Sequence, residues 1–354
     1  MKKILMFQDY FSYGGIEKVI LDIKNNACDY DIDILSMVNK SKEKVTSLFK
    51  NNYCNFFIRN ILGLSKFKKY LYNNEYDIIH IHCYNSFGLI YAFIARKYIK
   101  HVIIHAHNSD IDNDFLYIKH LLNSIIKFLF KSRNYTYLAV NEECNKFCFN
   151  NKNTIILRNC IDYSKYLFNE NERKKYQKMF GVKKGEIVIG HVGRFEKQKN
   201  HKFLIDIFNE INKIKNNYKL VLVGDGSQKN EVINKIHQLK LEKKIIILNN
   251  RDDIFKLINM FDIFLFPSIV EGFPLSIVEN QVNGKYVFAS DILDKNIIIS
   301  NRINFISLKK NAYYWASKII NLKENNFKLD KKLDIINYIS KLKKIYRGFN
   351  EKNT

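Results

Sequence analysis

The chain has 354 residues, 47% of them hydrophobic, and a formal net charge of +23. That length suits two domains of ordinary size, each with its own core, and no uncharged apolar stretch of 18 residues reads as a membrane span. Residues 1–165 hold 23 Lys/Arg against 15 Asp/Glu, so the basic excess is spread along the chain; without zinc-finger spacing or an aromatic–basic RNA motif, the reading is no nucleic-acid partner.

Apolar runs of strand length alternate with helical patterns from the start. The first residues, Met1 to Phe7, could pass for a secretory leader, but their apolar run is too short and no small-residue cleavage site follows. They predict a buried strand and a cytoplasmic protein. Strands are expected at 3–7, 31–37, 55–58, 77–81, 102–106 and 136–140, then at 187–192, 220–223, 245–248, 263–266 and 286–289. Many are continuous Ile/Val/Leu runs, as strands covered on both faces require. Repeated β-α-β order predicts an α/β protein with two doubly wound, Rossmann-like domains. The polar run from Asn169 to Lys175 places the boundary so that residues 1–165 and 166–331 are the two domains. A last helix at about 332–350 is expected to return to the first. The six cysteines, at 28, 54, 83, 144, 148 and 160, show no ligand spacing and read as core residues.

Both prolines of the chain, Pro267 and Pro274, fall in one stretch, from Phe266 to Leu275. A strand ends at Pro267, and a loop carries Glu271, Gly272 and Phe273. Pro274 then suits the first turn of a helix, where no N–H is missed. The N–H groups of Phe273, Leu275 and Ser276 point out of that helix start and predict a phosphate site. Gly272 permits close approach of the backbone. Glu271 precedes the site and Glu279 lies inside the helix; one carboxylate can take sugar hydroxyls and the other a ribose.

The strand at 187–192 runs into Gly193, Arg194 and, further on, Lys199 and Asn200. Arg194 can fork two phosphate oxygens, and Lys199 adds a point charge. Gly224-Asp225-Gly226 ends the next strand in a tight turn, and Arg251 follows the strand after that, positioned to line a base pocket. In the first half, Gly14 and Gly15 open a helix where backbone N–H groups can meet a phosphate, with Glu17 as an alternative cap. His107 ends a strand within His105-Ala106-His107-Asn108-Ser109 and can donate to a sugar hydroxyl. His80, His82 and His105 alternate with apolar residues and read as core positions.

These residues resemble glycosyltransferase family 4, of the two-lobed GT-B fold in which the domains face across a cleft. Gly14-Gly15-Ile16-Glu17 is similar to the family's amino-terminal glycine loop, and the His107 segment to its histidine-bearing strand end. Asn159-Cys160-Ile161-Asp162 resembles its Asn-Gly-Ile-Asp linker, with Cys160 in place of glycine. Gly193-Arg194 with Lys199-Asn200 resembles the diphosphate motif. Glu271 and Glu279, enclosing Gly272-Phe273-Pro274, match the Glu-x7-Glu signature, although Asn280 stands where the family has alanine.

The resemblance implies retaining transfer of a sugar from a nucleotide-sugar, with UDP expected, to a saccharide or lipid-linked saccharide acceptor in bacterial surface polysaccharide synthesis. It assigns Glu271 to donor-sugar hydroxyls, Arg194 and Lys199 to the leaving diphosphate, Glu279 to the ribose and His107 to the sugar near the reacting carbon. Gly14, Gly15, Glu17, Gly193, Gly224, Arg251, Gly272, Phe273, Pro274 and Leu275 complete the expected donor-binding set. No metal or other cofactor is expected: Asp31-Ile32-Asp33 begins a strand and Asp112-Asn113-Asp114 lies in a polar link, so both Asp-x-Asp matches read as solvated acids. Peripheral contact with an anionic membrane is compatible with the basic charge. A nucleotide-sugar epimerase or phosphorylase of the same fold, and a non-catalytic sugar-nucleotide binder, are the alternatives; the Glu-x7-Glu loop favours transfer over the first pair, and the presence of all four of Arg194, Lys199, Glu271 and Glu279 argues against the last.

Overall fold

A computed structural model of the chain describes residues 1–12, 14–49, 56–108, 116–132 and 134–348. Two compact units emerge, Met1–Cys160 with Ile335–Thr354, and Ile161–Asp334. The division falls ahead of the 165/166 boundary drawn from the polar run, because the Ile161 N–H donates to the Leu333 carbonyl (3.2 Å) and joins the second unit's own last segment.

The first unit runs β1 (Lys2–Phe11), α1 (Gly15–Asn26), β2 (Tyr30–Asn39), β3 (Thr46–Phe49), α2 (Phe56–Tyr72), β4 (Ile78–Cys83), α3 (Gly88–Ala95), β5 (His101–Ala106), α4 (Leu116–Phe130), β6 (Tyr135–Ala139), α5 (Glu142–Cys148) and β7 (Ile155–Ile156). Its seven strands are parallel in the order β3-β2-β1-β4-β5-β6-β7. The apolar runs of β1, β4 and β5 are buried, since helices cover both faces of a parallel sheet. Residues 56–58, expected in a strand, open α2 instead. Three apolar residues fit either element; here they begin a 17-residue helix that buries Phe67 and Leu71. The edge place beside β2 goes to β3. Asn55 lies outside the described residues, as do Cys54, Ser109 and the Asp112–Asp114 triplet.

The second unit runs α6 (Glu170–Met179), β8 (Ile187–Val192), α7 (His201–Ile214), β9 (Tyr218–Val223), α8 (Lys229–Gln238), β10 (Ile245–Leu248), α9 (Ile254–Leu257), β11 (Ile263–Phe266), α10 (Leu275–Val282), β12 (Tyr286–Ser290), β13 (Ile303–Ile306) and α11 (Ala312–Ile320). Six parallel strands take the order β10-β9-β8-β11-β12-β13. Its core joins Phe208 and Ile211 of α7 to Leu220 and Leu222 of β9 and to Trp315 of α11. The last helix, α12 (Ile335–Arg347), belongs to the first unit: Tyr346 is buried, and its ring meets Tyr30 edge-on at 5.3 Å.

In both sheets the strand order reverses beside the first strand, between β1 and β4 and between β8 and β11. Crevices at the carboxyl ends of such strand pairs are where open α/β sheets bind ligands. No helix among the described residues is long and apolar enough to cross a membrane.

Candidate active site

The loops after β8 and β11 meet at the switch point of the second unit. Beyond β8, Gly193 and Arg194 lead to a short turn at Lys197–Lys199, closed by Asn200 in the left-handed conformation (φ 57°) at the start of α7. The Asn200 side-chain amide donates to the Pro267 carbonyl (3.1 Å), and the Ile269 N–H donates to the Gln198 carbonyl (2.7 Å). These two bonds bring together side chains 72 residues apart: Lys199 Nζ lies 2.6 Å from Glu271 Oε1, with both side chains largely buried. The Lys199 ammonium also sits 4.9 Å from the Phe266 ring centroid, a cation–π contact that fixes its position.

Pro274 is the N-cap of α10 rather than its first helical residue, and no side chain caps the helix. The start of α10 therefore presents backbone donors and the positive end of its dipole beside the Lys199–Glu271 pair. Gly272 lies on the way into the helix. Phe273 and Leu275 turn their side chains into the core, so any part they take in binding is through their backbone. Glu279 is buried one turn inside. Arg194 is exposed and makes no ion pair among the described residues, leaving its fork available.

The third loop is packed against the first. The Gly193 N–H donates to the Val223 carbonyl and the Phe195 N–H to the Asp225 carbonyl, both at 3.0 Å. Gly224 has φ +149°, and a Cβ there would lie 2.1 Å from the Gly193 carbonyl oxygen. Neither the dihedral nor the backbone contact admits a side chain. Gly224→Ala is expected to destabilise the chain by about 3 kcal/mol and to displace the Gly193–Arg194 turn, which urea unfolding and nucleotide-binding titrations would show together.

Arg251 is not brought to this pair. Its guanidinium makes two bonds to Asp253 (2.7 and 2.6 Å), which also accepts from the Tyr176 hydroxyl of α6 (2.5 Å). Two histidines that the sequence reading passed over lie next to Lys199. His191 donates through Nδ1 to the Leu265 carbonyl (2.8 Å), and burial pushes its pKa down to about 4. His201 stacks on Phe195 with ring centroids 4.2 Å apart, and neither ring nitrogen has a partner. Their only sequence signal is position: one is interleaved in a strand and the other opens a helix just after the phosphate-type turn.

In the first unit, Gly14 caps α1 without a side-chain bond. Glu17 is buried and turns back to its own loop. Its carboxylate accepts from Gln8 Nε2 (3.1 Å), the Ser12 N–H (3.2 Å) and the Tyr84 hydroxyl (3.3 Å), tying the carboxyl ends of β1 and β4 together. Burial raises its pKa despite these donors. A cavity of about 70 Å³ lies at the same strand ends, with Asp9, His82, Tyr84 and Asn85 on its polar wall.

His107 belongs to a buried stack with His80, His82 and His105. Ring centroids are 4.3 Å apart for His80–His82 and 4.2 Å for His105–His107, and His82 Nδ1 lies 3.0 Å from His107 Nε2. His80 Nδ1 meets the Tyr346 hydroxyl at 2.9 Å. His105 Nε2 donates to the Leu157 carbonyl (3.3 Å), so Nδ1 is the bare nitrogen. Burial holds all four well below the usual histidine pKa, His105 at about 3. Nitrogens of His80, His82 and His105 gather within 4.8 Å of one another, a donor set of the type late transition metals take. Asp31 and Asp33, by contrast, stand at the amino end of β2, where Asp33 accepts from Tyr76 (2.9 Å).

A wider open groove of about 630 Å³ in the second unit runs past Arg173, Lys174, Lys183 and Lys184. It lies at the amino ends of β8 and β11, away from the converging loops, and its opposed pair, Arg173 and Asp262 at 2.6 Å, ties α6 to the start of β11. The loop cluster around Lys199 and Glu271 is the better candidate, on position in the sheet and on chemistry.

Comparison with known proteins defines the class. Residues 172–341 match the family described as glycosyl transferases group 1, and residues 3–141 match glycosyl transferase 4-like. The chain belongs to the family 4 type of glycosyltransferases, with the GT-B fold, and is an enzyme of the hexosyltransferase class. It is 24% identical to the UDP-Gal:alpha-D-GlcNAc-diphosphoundecaprenol alpha-1,3-galactosyltransferase of Escherichia coli, over 94% of this chain and 93% of that one. It is 28% identical to the N,N'-diacetylbacillosaminyl-diphospho-undecaprenol alpha-1,3-N-acetylgalactosaminyltransferase of Campylobacter jejuni, over 76% and 72% of the two chains. Among solved structures, Anabaena Alr3699/HepE in complex with UDP and glucose superposes with a TM-score of 0.76, at 18% identity, over 98% of this chain and 99% of that one.

Proposed function

We propose that this enzyme transfers a hexosyl unit from a UDP-sugar, with retention at the anomeric carbon, to a lipid-linked saccharide during assembly of a bacterial surface polysaccharide. The observation that carries the donor half is the Lys199–Glu271 pair beside the uncapped start of α10. Backbone donors, Arg194 and Lys199 would hold the diphosphate and stabilise the charge that develops as it leaves. Glu271 would accept hydrogen bonds from the donor sugar's hydroxyls, and Glu279 from the ribose. UDP and the acceptor class are supported by the names of similar proteins: a UDP-galactose donor in one, diphosphoundecaprenol acceptors in two, and bound UDP in a solved neighbour.

The first unit would take the acceptor, with the Gly14–Glu17 loop shaping the strand ends, and His107, buried with its Nε2 against His82, would act on the sugar near the reacting carbon only through Nδ1. The positive groups already in place would meet the diphosphate without a divalent cation. The deciding assay is UDP release from a panel of UDP-, GDP- and ADP-sugars in EDTA, with and without a membrane-lipid extract. Turnover of a UDP-sugar in EDTA that needs the extract is the expected result. Turnover lost in EDTA and restored by a divalent cation would overturn the metal-free reading, and use of a GDP- or ADP-sugar would overturn the donor. Arg194→Ala is expected to weaken both UDP binding and turnover by about tenfold or more, as titration calorimetry and initial rates would show.

A further inference from the structure

Three of the buried imidazoles in the first unit share one face of its sheet. His80 and His82 are two residues apart on β4, and His82 stands opposite His105 on the neighbouring β5. All three residues are at most 2% exposed. Each ring uses one nitrogen on a neighbour and keeps the other bare. His80 Nδ1 meets the Tyr346 hydroxyl at 2.9 Å, His82 Nδ1 meets His107 Nε2 at 3.0 Å, and His105 Nε2 donates to the Leu157 carbonyl at 3.3 Å. His80 Nε2, His82 Nε2 and His105 Nδ1 have no hydrogen-bond partner among the described residues. A buried polar atom without a partner costs free energy, and three in one place call for a shared ligand.

We propose that these three nitrogens bind one zinc-class divalent ion, with a fourth coordination place left open. One nitrogen from each of the three residues already gathers within 4.8 Å of the others. An ion at about 2.0–2.1 Å from each would draw them to about 3.4 Å of one another, which small rotations of the rings achieve. Three imidazoles suit zinc, whereas magnesium and calcium take oxygen ligands. The outer bonds fit as well. A metal-binding histidine puts one nitrogen on the ion and donates the proton of the other to an acceptor that holds the ring in place. Here Tyr346 of α12, His107 and the Leu157 carbonyl stand in that position. With the rings enclosed in the fold, the ion enters as the chain folds.

The ion also sets the tautomer of His107. With His82 Nε2 on the metal, the His82 proton sits on Nδ1 and is donated to His107 Nε2. His107 then carries its own proton on Nδ1, the nitrogen through which it can donate to a sugar hydroxyl. His82 is a positioning residue in this arrangement. The consequence for sugar binding rests on the role given to His107 above; binding of the ion does not. The site belongs to the first unit, and the donor loops after β8 and β11 keep their own positive groups.

The test is the metal content of the untagged full chain, counted on the protein itself and so apart from any effect of EDTA on turnover. The chain refolded from denaturant with zinc and then gel-filtered is expected to hold about one ion, and to unfold at a higher urea concentration than the chain refolded in EDTA, which should hold less than about a tenth as much. Cobalt loaded in the same way should give the visible absorption of a four-coordinate nitrogen site. The His80→Phe, His105→Phe double variant keeps two flat rings in the core and should lose the ion, with UDP affinity unchanged as the control for folding. No zinc on the refolded wild type, which needs no variant to measure, would overturn the proposal, as would equal zinc on wild type and folded variant. A histidine nitrogen-15 spectrum of the zinc-loaded chain with the His107 proton on Nε2 would overturn the part given to His82.

Discussion

Glu271→Ala is expected to cut turnover by about 100- to 1,000-fold while leaving free UDP bound as tightly as before, or more tightly. The asymmetry follows from the pair. Glu271 Oε1 is 2.6 Å from Lys199 Nζ, so in the empty site the carboxylate neutralises the ammonium that the diphosphate needs. Removing it deletes the acceptor for the sugar's hydroxyls and frees the cation for the phosphates. Lys199→Ala is expected to do the reverse to binding: a largely buried carboxylate without its partner faces the diphosphate, and UDP affinity falls about tenfold or more. The double variant should then bind UDP better than Lys199→Ala alone, a coupling that two independent sites would not show. Isothermal titration with UDP and initial rates on the four proteins measure it. Collapse of UDP binding in folded Glu271→Ala would remove the sugar-binding role assigned to this residue.

The loops of this site were legible in the sequence because they follow strands. Continuous apolar runs, as at Ile245–Leu248 and Ile263–Phe266, are read without knowing the fold, and the residues after them fall at a carboxyl end by construction. What failed was short or at an edge. Thr46–Phe49 holds two polar residues and pairs on one side only, Ile155–Ile156 spans two residues, and Ile303–Ile306 is the last strand of its sheet. The 55–58 misreading has the same root, since a run of three apolar residues carries no period.

Partnership between loops was not legible at all. No spacing rule joins Lys199 to Glu271. Nor does one say that Arg251 is held by Asp253 two residues on, or that Glu17 turns back to Gln8 and Tyr84. Those choices depend on which loop ends the sheet order places side by side. His80, His82 and His105 alternate with apolar residues, so the sequence places them inside. That four rings including His107 stack against one another emerges only from the register, in which His82 stands opposite His105.

That stack carries the second large expectation, unfolding in mild acid. Six histidines are buried, four in the first unit and His191 and His201 in the second. All six are held below the ordinary value of 6.5 by burial, His191 at about 4 and His201 at about 2. A base whose folded pKa is depressed contributes stability that is complete above the unfolded pKa. Below pH 6.5 the unfolded chain takes up protons that the folded chain refuses, and stability falls until the folded values are reached. Each such group costs about 1.4 kcal/mol per pH unit below 6.5. At about pH 5.5 the four histidines of the first unit together remove about 6 kcal/mol, against a typical domain stability of about 5–15 kcal/mol.

The first unit is therefore expected to unfold between about pH 5 and 6, well above the range where carboxylates titrate. The second unit, losing half as much, should persist to lower pH. Trp315, the one tryptophan, is buried in the second unit, so its fluorescence reports that unit alone while far-UV circular dichroism reports both. The dichroism signal should fall at higher pH than the tryptophan signal shifts. His201→Phe removes a buried ring whose nitrogens have no partner and keeps its stack on Phe195, so it should move only the tryptophan transition, and toward lower pH. Coincident transitions below about pH 4 would place the acid sensitivity in the carboxylates. The buried imidazoles would then have to be taking up protons without unfolding the sheet that encloses them.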